Sequence, residues 1–399
     1  MKNFLGHFLS FLASFFLLFI VVYVARELLP KKEKPTLAED SSQRAVAIEL
    51  VPTHYASREN VSVWLDPTRS DIKEALDSLD SNRREIGTVR PVFYEVKEGR
   101  IVLHGKLKAG VRNEVVYQAQ KSEPRINVIP TFGNVDVSGP HGEEVLKLLQ
   151  DPGLRKAALD KILEVAEDPD YAGVDMDWEG LSVAGFKLLA DFIEDLSPNV
   201  HRLGKVVSVA LEYRYVEASR HDWRRIGNAA DQVEVIAYPE HHEGTEPGPI
   251  ASVDWAGSQV NFALKAIPSS KIVLCMPLFG YIWEQDQYSG RSDTLDITWR
   301  QLKKMGEENS LDEIQRYGID VKSVEARRDD NSDAHTLITG SYKASSYDGG
   351  QTRKINYQVW YEDAVSIGVK IQMAQKYGIT QFGFWRIGGE DPQIWKLFQ

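Results

Sequence analysis

From residue 56 onward, short apolar, β-branched runs alternate with longer stretches whose apolar side chains recur every three to four positions. Short runs of this kind predict strands, at 60–66 (NVSVWLD), 88–96 (TVRPVFYEV), 125–132 (RINVIPTF), 172–179 (AGVDMDWE), 205–213 (KVVSVALEY), 232–238 (QVEVIAY), 271–279 (KIVLCMPLF) and 379–385 (ITQFGFW). The helical spacing falls between them, at 70–85, 142–167 with a break at Pro152, 183–196, 254–266 and 362–377. Strand followed by helix, repeated, predicts parallel strands joined by crossovers. Eight such units predict an α/β fold of the (β/α)8 TIM barrel type. An open doubly wound sheet is the rival arrangement. The Gly-rich strand-to-helix turns that go with it, GxGxxG and GxxxxGK[ST], do not occur.

Two segments break the rhythm. Between the strand ending near Phe279 and the helix opening near Tyr361 lie about 80 residues, too many for a barrel loop. Residues 284–359 have their own helical pattern (TWRQLKKMGEENSLDEIQRYG) and strand-like runs (HTLITGSYKA, KINYQVWY). They are expected to form a small α+β insertion between strand 7 and the helix that follows it. At the other end, Phe4–Ala25 (FLGHFLSFLASFFLLFIVVYVA) holds no Asp, Glu, Lys or Arg. It is long enough to cross a bilayer, which takes about 20 apolar residues. The flank of Ala25 lacks the small residues of a cleavage site, so residues 1–29 are expected to be an N-terminal transmembrane anchor rather than a removed signal peptide. Residues 30–55, rich in Pro and charge, are the expected linker, and 56–399 the barrel with its insertion. Lys31, Lys32 and Lys34 lie just past the apolar run, which by the positive-inside rule favours a cytoplasmic domain. Long domains are translocated largely regardless of such charges, so orientation stays open.

Charge and cysteine content narrow the function. Of the 399 residues, 47 are Lys or Arg and 58 are Asp or Glu, a net charge of −11, which argues against nucleic acid as the main ligand. The single cysteine, Cys275, cannot form an intrachain disulfide or a thiolate metal cluster. Sitting mid-strand between Leu274 and Met276, it is expected to be a small buried residue.

The chemistry concentrates on the fourth predicted strand, GVDMDWEG. Asp175, Asp177 and Glu179 are spaced by two, so a strand points all three to one face and Val174, Met176 and Trp178 to the other. In a barrel the acids would face the axis, and Glu179 would emerge at the catalytic rim. Carboxylates so close cannot all ionise, so at least one is pushed up in pKa and a proton is shared. A solvent-exposed acidic edge strand is an alternative from spacing alone. So is a divalent-metal site that adds His241 and His242, although no recognisable ligand spacing accompanies it. No metal and no cofactor is expected.

GVDMDWEG resembles the DGxDxDxE signature of glycoside hydrolase family 18, the chitinase-like barrels. VEVIAYPEHHEGTEPGPIASVDW followed by KIVLCMPLFGYIW is similar to the sixth and seventh strand regions of the spore-cortex and cell-wall members, and QVWYEDAVSIGVKIQMAQKYGITQFGFWRIGGEDPQIW to their C-terminal end. The resemblance spans roughly 56–399. It implies substrate-assisted, retaining hydrolysis of β-1,4 bonds next to N-acetylglucosamine in peptidoglycan or a chitin-like polymer, in which the sugar's own 2-acetamido oxygen attacks the anomeric carbon. Residue by residue, it implies Glu179 as general acid and then base, and Asp177 as the partner of the acetamide N–H. It further implies Asp175 as the group sharing a proton with Asp177, Tyr238 as donor to the acetamide oxygen, and Trp385 as the floor under the reacting sugar. Tyr94, Tyr281 and Trp283, at predicted strand ends, are candidates to line the cleft. In chitinases of this family an insertion at this position deepens the cleft, and 284–359 is expected to do so here.

Two positions depart from the family pattern. Ala172 stands where the signature has its first Asp. Pro239 stands where an Asp usually follows the sixth-strand Tyr, with Glu240 next to it as a candidate substitute. The implied partners are a polysaccharide containing N-acetylglucosamine and, through the N-terminal helix, a membrane, with the barrel outside the cytoplasm. A non-catalytic carbohydrate-binding protein on the same barrel is the alternative, because fold alone does not decide activity.

Overall fold

In the computed structural model, the residues described are 55–136, 139–212, 216–286, 292–302, 320–329, 335–344 and 353–399. The expected membrane anchor at 1–29 and nearly all of the linker at 30–55 lie outside them. Among the described residues, no helix is long and apolar enough to cross a membrane.

Eight parallel strands close on themselves. They are β1 (Val61–Leu65), β2 (Thr88–Lys97), β3 (Thr131–Gly133), β4 (Gly173–Asp177), β5 (Val206–Glu212), β6 (Gln232–Ile236), β7 (Ile272–Pro277) and β8 (Gln381–Trp385). Each pairs with its neighbours in chain order, and β1 pairs with both β2 and β8. That closure decides between a (β/α)8 barrel and an open sheet. Six of the eight strands fall within the segments that the sequence pattern predicts, and β2 and β3 each run one residue past theirs, to Lys97 and Gly133.

Eight α-helices follow the strands among the described residues: α1 (Ile72–Ser81), α2 (Val111–Gln120), α3 (Gly142–Gln150), α4 (Pro152–Ala166), α5 (Val183–Arg202), α6 (Val216–Ala229), α7 (Val253–Ala263) and α8 (Ala364–Lys376). The break between α3 and α4 falls at Pro152, as its missing N–H requires. Asp151 caps α4 there, accepting from Gly153 N–H at 2.8 Å and Leu154 N–H at 2.9 Å. The apolar faces of strands and helices meet in one large core, to which Val174, Met176 and Trp178 belong. Full burial of side chains of this size contributes about 1.5–3 kcal/mol each.

After β7 the chain leaves the barrel and builds a second, antiparallel sheet. Its strands lie in the order 292–297, 280–286, 353–361, 335–344 and 320–329. The expected helical pattern over 298–318 lies largely outside the described residues. The sheet has a small core of its own, including Ile282, Ile297, Val359 and Tyr361. The Tyr361 hydroxyl fastens it to the barrel by donating to the carbonyls of Gly389 at 2.8 Å and Leu278 at 3.3 Å.

Candidate functional site

The inside of the barrel is polar, against the branched apolar filling usual for this fold. Register places Thr131 of β3, Asp175 of β4 and Ser208 of β5 side by side. Thr131 donates to Asp175 Oδ2 at 2.7 Å, Ser208 to Oδ1 at 2.7 Å, and the Trp64 indole N–H to Oδ2 at 3.3 Å. Arg90 reaches in from β2. Its guanidinium donates to Ser208 Oγ and Gln232 Oε1, both at 2.6 Å, pairs with Glu234 at 2.9 Å, and lies 3.7 Å from Asp175. Arg90, Asp175 and Glu234 are all essentially inaccessible to water. Acids therefore face the barrel axis and Val174, Met176 and Trp178 face the helices, as the period of two requires. A solvent-exposed edge strand is ruled out.

The glycines of GVDMDWEG have steric causes. A Cβ on Gly173 would stand 2.3 Å from the carbonyl oxygen of Val206, on the neighbouring strand. Gly180 adopts φ +73°, the left-handed conformation that turns the chain off the strand directly after Glu179.

Asp177, one step nearer the rim than Asp175, is half-buried, and its Oδ1 is buried without a hydrogen-bond partner. Burial pushes its carboxyl up to about 8, and the charges of Asp175 and Glu212 push the same way. Asp175 is surrounded by donors, whereas Asp177 has none on Oδ1 and holds its proton into the neutral range. Glu179 is half-buried at the rim. Its backbone is clamped by Asn134, which accepts from Glu179 N–H at 2.8 Å and donates to Glu179 C=O at 2.9 Å. Glu212, at the end of β5, accepts from Gly180 N–H at 3.3 Å.

Tyr238 follows β6 and is half-buried. Its phenol is raised well above its ordinary pKa, first by burial, then by Cys275 and by the carboxylates of Glu179 and Asp177. With Trp385 it packs against the cluster of Trp64, Val273 and Cys275, and with Phe279 and Tyr281 against that of Ile250, Trp283 and Trp360. Tyr238, Phe279, Tyr281 and Trp283 form a run of edge-to-face contacts, with ring centroids 6.3, 5.4 and 5.6 Å apart. The first strand of the added sheet thus carries an aromatic wall up to Tyr238. Tyr281 remains half-buried in it, while Trp283 is only 5% exposed. Burial pushes the Tyr281 phenol up to about 12.

Two candidates are placed elsewhere. Tyr94 does not reach the cleft. It is 4% exposed and stacks on Phe132 at 4.7 Å between strands and helices, its hydroxyl meeting Arg112 of α2 at 3.5 Å. A register shift between Val92 and Tyr94 is the cause, because it interrupts the alternation on which strand-end reasoning depends. The Glu240 carboxylate is committed to the backbone N–H of Ser252 at 2.7 Å, closing the loop before α7. Its Oε2 stabilises that loop.

His241 and His242 turn their Nδ1 atoms to the carbonyls of Glu246, at 2.9 Å, and Glu243, at 2.7 Å. Among the described residues, no group of three His, Cys, Asp or Glu side chains is placed to hold a metal ion. Cys275 is buried inside the barrel, as its position mid-strand suggests.

YdhD of Bacillus subtilis is 23% identical over 278 residues, 68% of this chain and 60% of that protein. The cortical fragment-lytic enzyme of the same organism is 23% identical over 258 residues, 63% of this chain and 54% of that protein. The chain thus matches little more than half the length of these curated relatives. Among solved structures, the spore cortex-lytic enzyme SleL of Bacillus cereus superposes with a TM-score of 0.66 at 19% identity, over 85% of this chain and 73% of that one, a likeness of fold. The sequence model of the glycosyl hydrolases family 18 matches residues 79–390, a stretch that holds all eight strands but β1 and the whole acidic motif, and the chain belongs to that family.

Proposed function

We propose that the protein is a glycoside hydrolase that cleaves β-1,4 bonds next to N-acetylglucosamine by a substrate-assisted, retaining mechanism. The observation that carries this reading is the Asp175–Asp177 pair. One member is held by three donors, and the other keeps its proton to about pH 8. A protonated Asp177 beside the rim is suited to orient an acetamide group, which would leave the sugar's own carbonyl oxygen as nucleophile. Glu179 then protonates the leaving oxygen and afterwards activates water. Tyr238, raised in pKa and therefore a neutral donor at working pH, holds the acetamide oxygen. Trp385, packed with Tyr238, forms the apolar floor under the reacting sugar. Tyr281, half-buried in the aromatic wall, offers its remaining face to the next sugar, with Trp283 packed behind it.

The names of the cortical fragment-lytic enzyme and SleL favour peptidoglycan over chitin as the polymer. The apolar run at 4–25 supports a membrane anchor, and a wall substrate supports a barrel held outside the cytoplasm.

Purified peptidoglycan and chito-oligosaccharides, digested and read by product mass, test the proposal. Wild type is expected to release fragments with retained anomeric configuration. The Glu179→Gln variant is expected to fold and release none. A thiazoline that mimics the cyclised acetamide should inhibit wild type. If wild type cleaves neither substrate and ignores the thiazoline, the catalytic reading fails and the carbohydrate-binding one replaces it.

A further inference from the structure

We infer that a groove on the flank of the barrel, between the outer face of α2 and the turn that leads into β4, is a second saccharide-binding site, separate from the cleft. The groove has a volume of about 360 Å3, and its lining includes Arg112, Asn113 and Tyr117 from α2 and Asp168, Asp170 and Tyr171 from the turn. It lies where the chain enters β4, whereas Asp177 and Glu179 lie where it leaves, so the two sites stand at opposite ends of that strand.

The lining has the mixture that sugars require. Tyr117 holds 60% of its surface in water, one of few large apolar side chains among the described residues to do so, and offers a ring face to a pyranose. Around it stand donors and acceptors in balance. Among the described residues the Arg112 guanidinium donates to the Tyr94 hydroxyl, at a long 3.5 Å, and feels the charges of Tyr171 and Asp168, so N–H groups remain for a ligand. Asp168 and Asp170 offer carboxylate oxygens. Lys121, at the end of the groove, is already committed to Asp80 at 3.0 Å. Two cations against two carboxylates leave no net charge to select an anion or a cation, while hydroxyl and acetamide groups can pair with both kinds.

The turn is also fixed before any ligand arrives. Asp170 N–H donates to Asp168 Oδ1 at 3.0 Å, and Tyr171 N–H to the Asp168 carbonyl at 3.2 Å. Lys205 donates to that same carbonyl, and Gln120 donates to the Asp170 carbonyl at 2.9 Å. A ligand that meets a rigid turn loses little affinity to ordering it. A site of this kind would keep the barrel on an insoluble polymer while the cleft works. The choice of a glycan containing N-acetylglucosamine rests on the function proposed above, but the groove itself does not.

The test uses the full chain in detergent, with chitotetraose as the probe and calorimetric titration as the readout. In the Glu179→Gln background two binding events are expected. Tyr117→Ser, at an exposed position where folding is not at stake, and Arg112→Ala should each remove one event and leave the other. With Glu179 intact, both variants should hydrolyse soluble chitotetraose within twofold of wild type. Their adsorption to insoluble peptidoglycan should weaken by about fivefold, the range expected for loss of one aromatic contact. A stoichiometry unchanged by either substitution, or soluble hydrolysis falling in step with adsorption, would overturn the inference. If the catalytic reading alone fails, hydrolysis is absent in wild type, yet one binding event still disappears with Tyr117→Ser.

Discussion

Asn134 grips the backbone of Glu179 with both atoms of its side-chain amide, accepting from the N–H at 2.8 Å and donating to the C=O at 2.9 Å. Two antiparallel hydrogen bonds to one residue fix its position and its rotation, as a neighbouring strand would. Asn134 is itself only 3% exposed, so water cannot readily take over its role. Replacing it with Ala should remove both bonds from the part-buried N–H and C=O and let the acid wander. A misplacement of about 1 Å can cost roughly 100-fold in rate. The expected outcome for Asn134→Ala is a fall in kcat of about 10- to 100-fold on peptidoglycan fragments, KM within threefold, and a normal circular-dichroism spectrum. A rate within twofold of wild type would show that Glu179 is held without it.

Glu212 bears on the same motif through charge. Its carboxylate accepts from Gly180 N–H, and it is one of the two carboxylates that raise Asp177. A neutral Gln keeps an acceptor for Gly180 and removes the charge. Asp177 then gives up its proton at lower pH, so the alkaline limb of kcat/KM should move to lower pH. The acidic limb, set by groups other than Glu212, should stay where it is. Profiles of wild type and Glu212→Gln on chitotetraose decide the matter. An alkaline limb that stays where it is would mean that the Glu212 charge does not act on Asp177.

Why the acidic motif is legible in the sequence while its supports are not follows from what each depends on. Asp175, Asp177 and Glu179 announce themselves because strand geometry converts a spacing of two into a shared face. Arg90 and Glu234 leave a fainter trace, a charge inside an otherwise apolar strand, in TVRPVF and QVEVI. Charges of that kind are seldom buried without a partner, but sequence alone does not say that these two pair with each other across the barrel. Asn134 and Glu212 leave none, because their value lies in which backbone atoms the closed barrel brings beside them. Tyr94 misled in the other direction. Its strand position is right, yet a one-residue irregularity after Val92 turns its ring into the helix layer, and nothing in VFYEV marks where alternation fails.

Keeping a proton on Asp177 has a cost in stability that depends on pH. The unfolded carboxyl releases its proton near pH 4, the folded one near 8. Between these values the folded state binds more protons than the unfolded one, so stability from this group is full below about pH 4 and is lost as pH rises to 8. An Asn at 177 is neutral in both states and escapes that loss. Asp177→Asn should therefore melt higher than wild type, with an advantage that is small at pH 5 and reaches a few degrees at pH 8. Its hydrolytic activity should fall by more than 100-fold. Differential scanning calorimetry at the two pH values checks the first expectation. An advantage that shrinks with rising pH would mean that Asp177 is ionised in the native protein.

Arg90 is the single cation among the buried charges of the described barrel interior, facing Glu234 at 2.9 Å and Asp175 at 3.7 Å. Breaking a buried ion pair from one side costs about 3–5 kcal/mol, because the remaining charge has neither water nor partner. Arg90→Met leaves two such carboxylates, so its urea midpoint should fall by at least that equivalent, with loss of soluble protein at 37 °C. Adding Glu234→Gln removes one of the two stranded carboxyls, the one that burial itself disfavours as a charge, and should restore part of the stability. This makes the double variant more stable than the single one, the reverse of what two independent destabilising changes would give. Stability in the double variant equal to or below that of Arg90→Met would show that Glu234 does not depend on Arg90, and that the network beneath the catalytic motif is held by the hydrogen bonds from Thr131 and Ser208 instead.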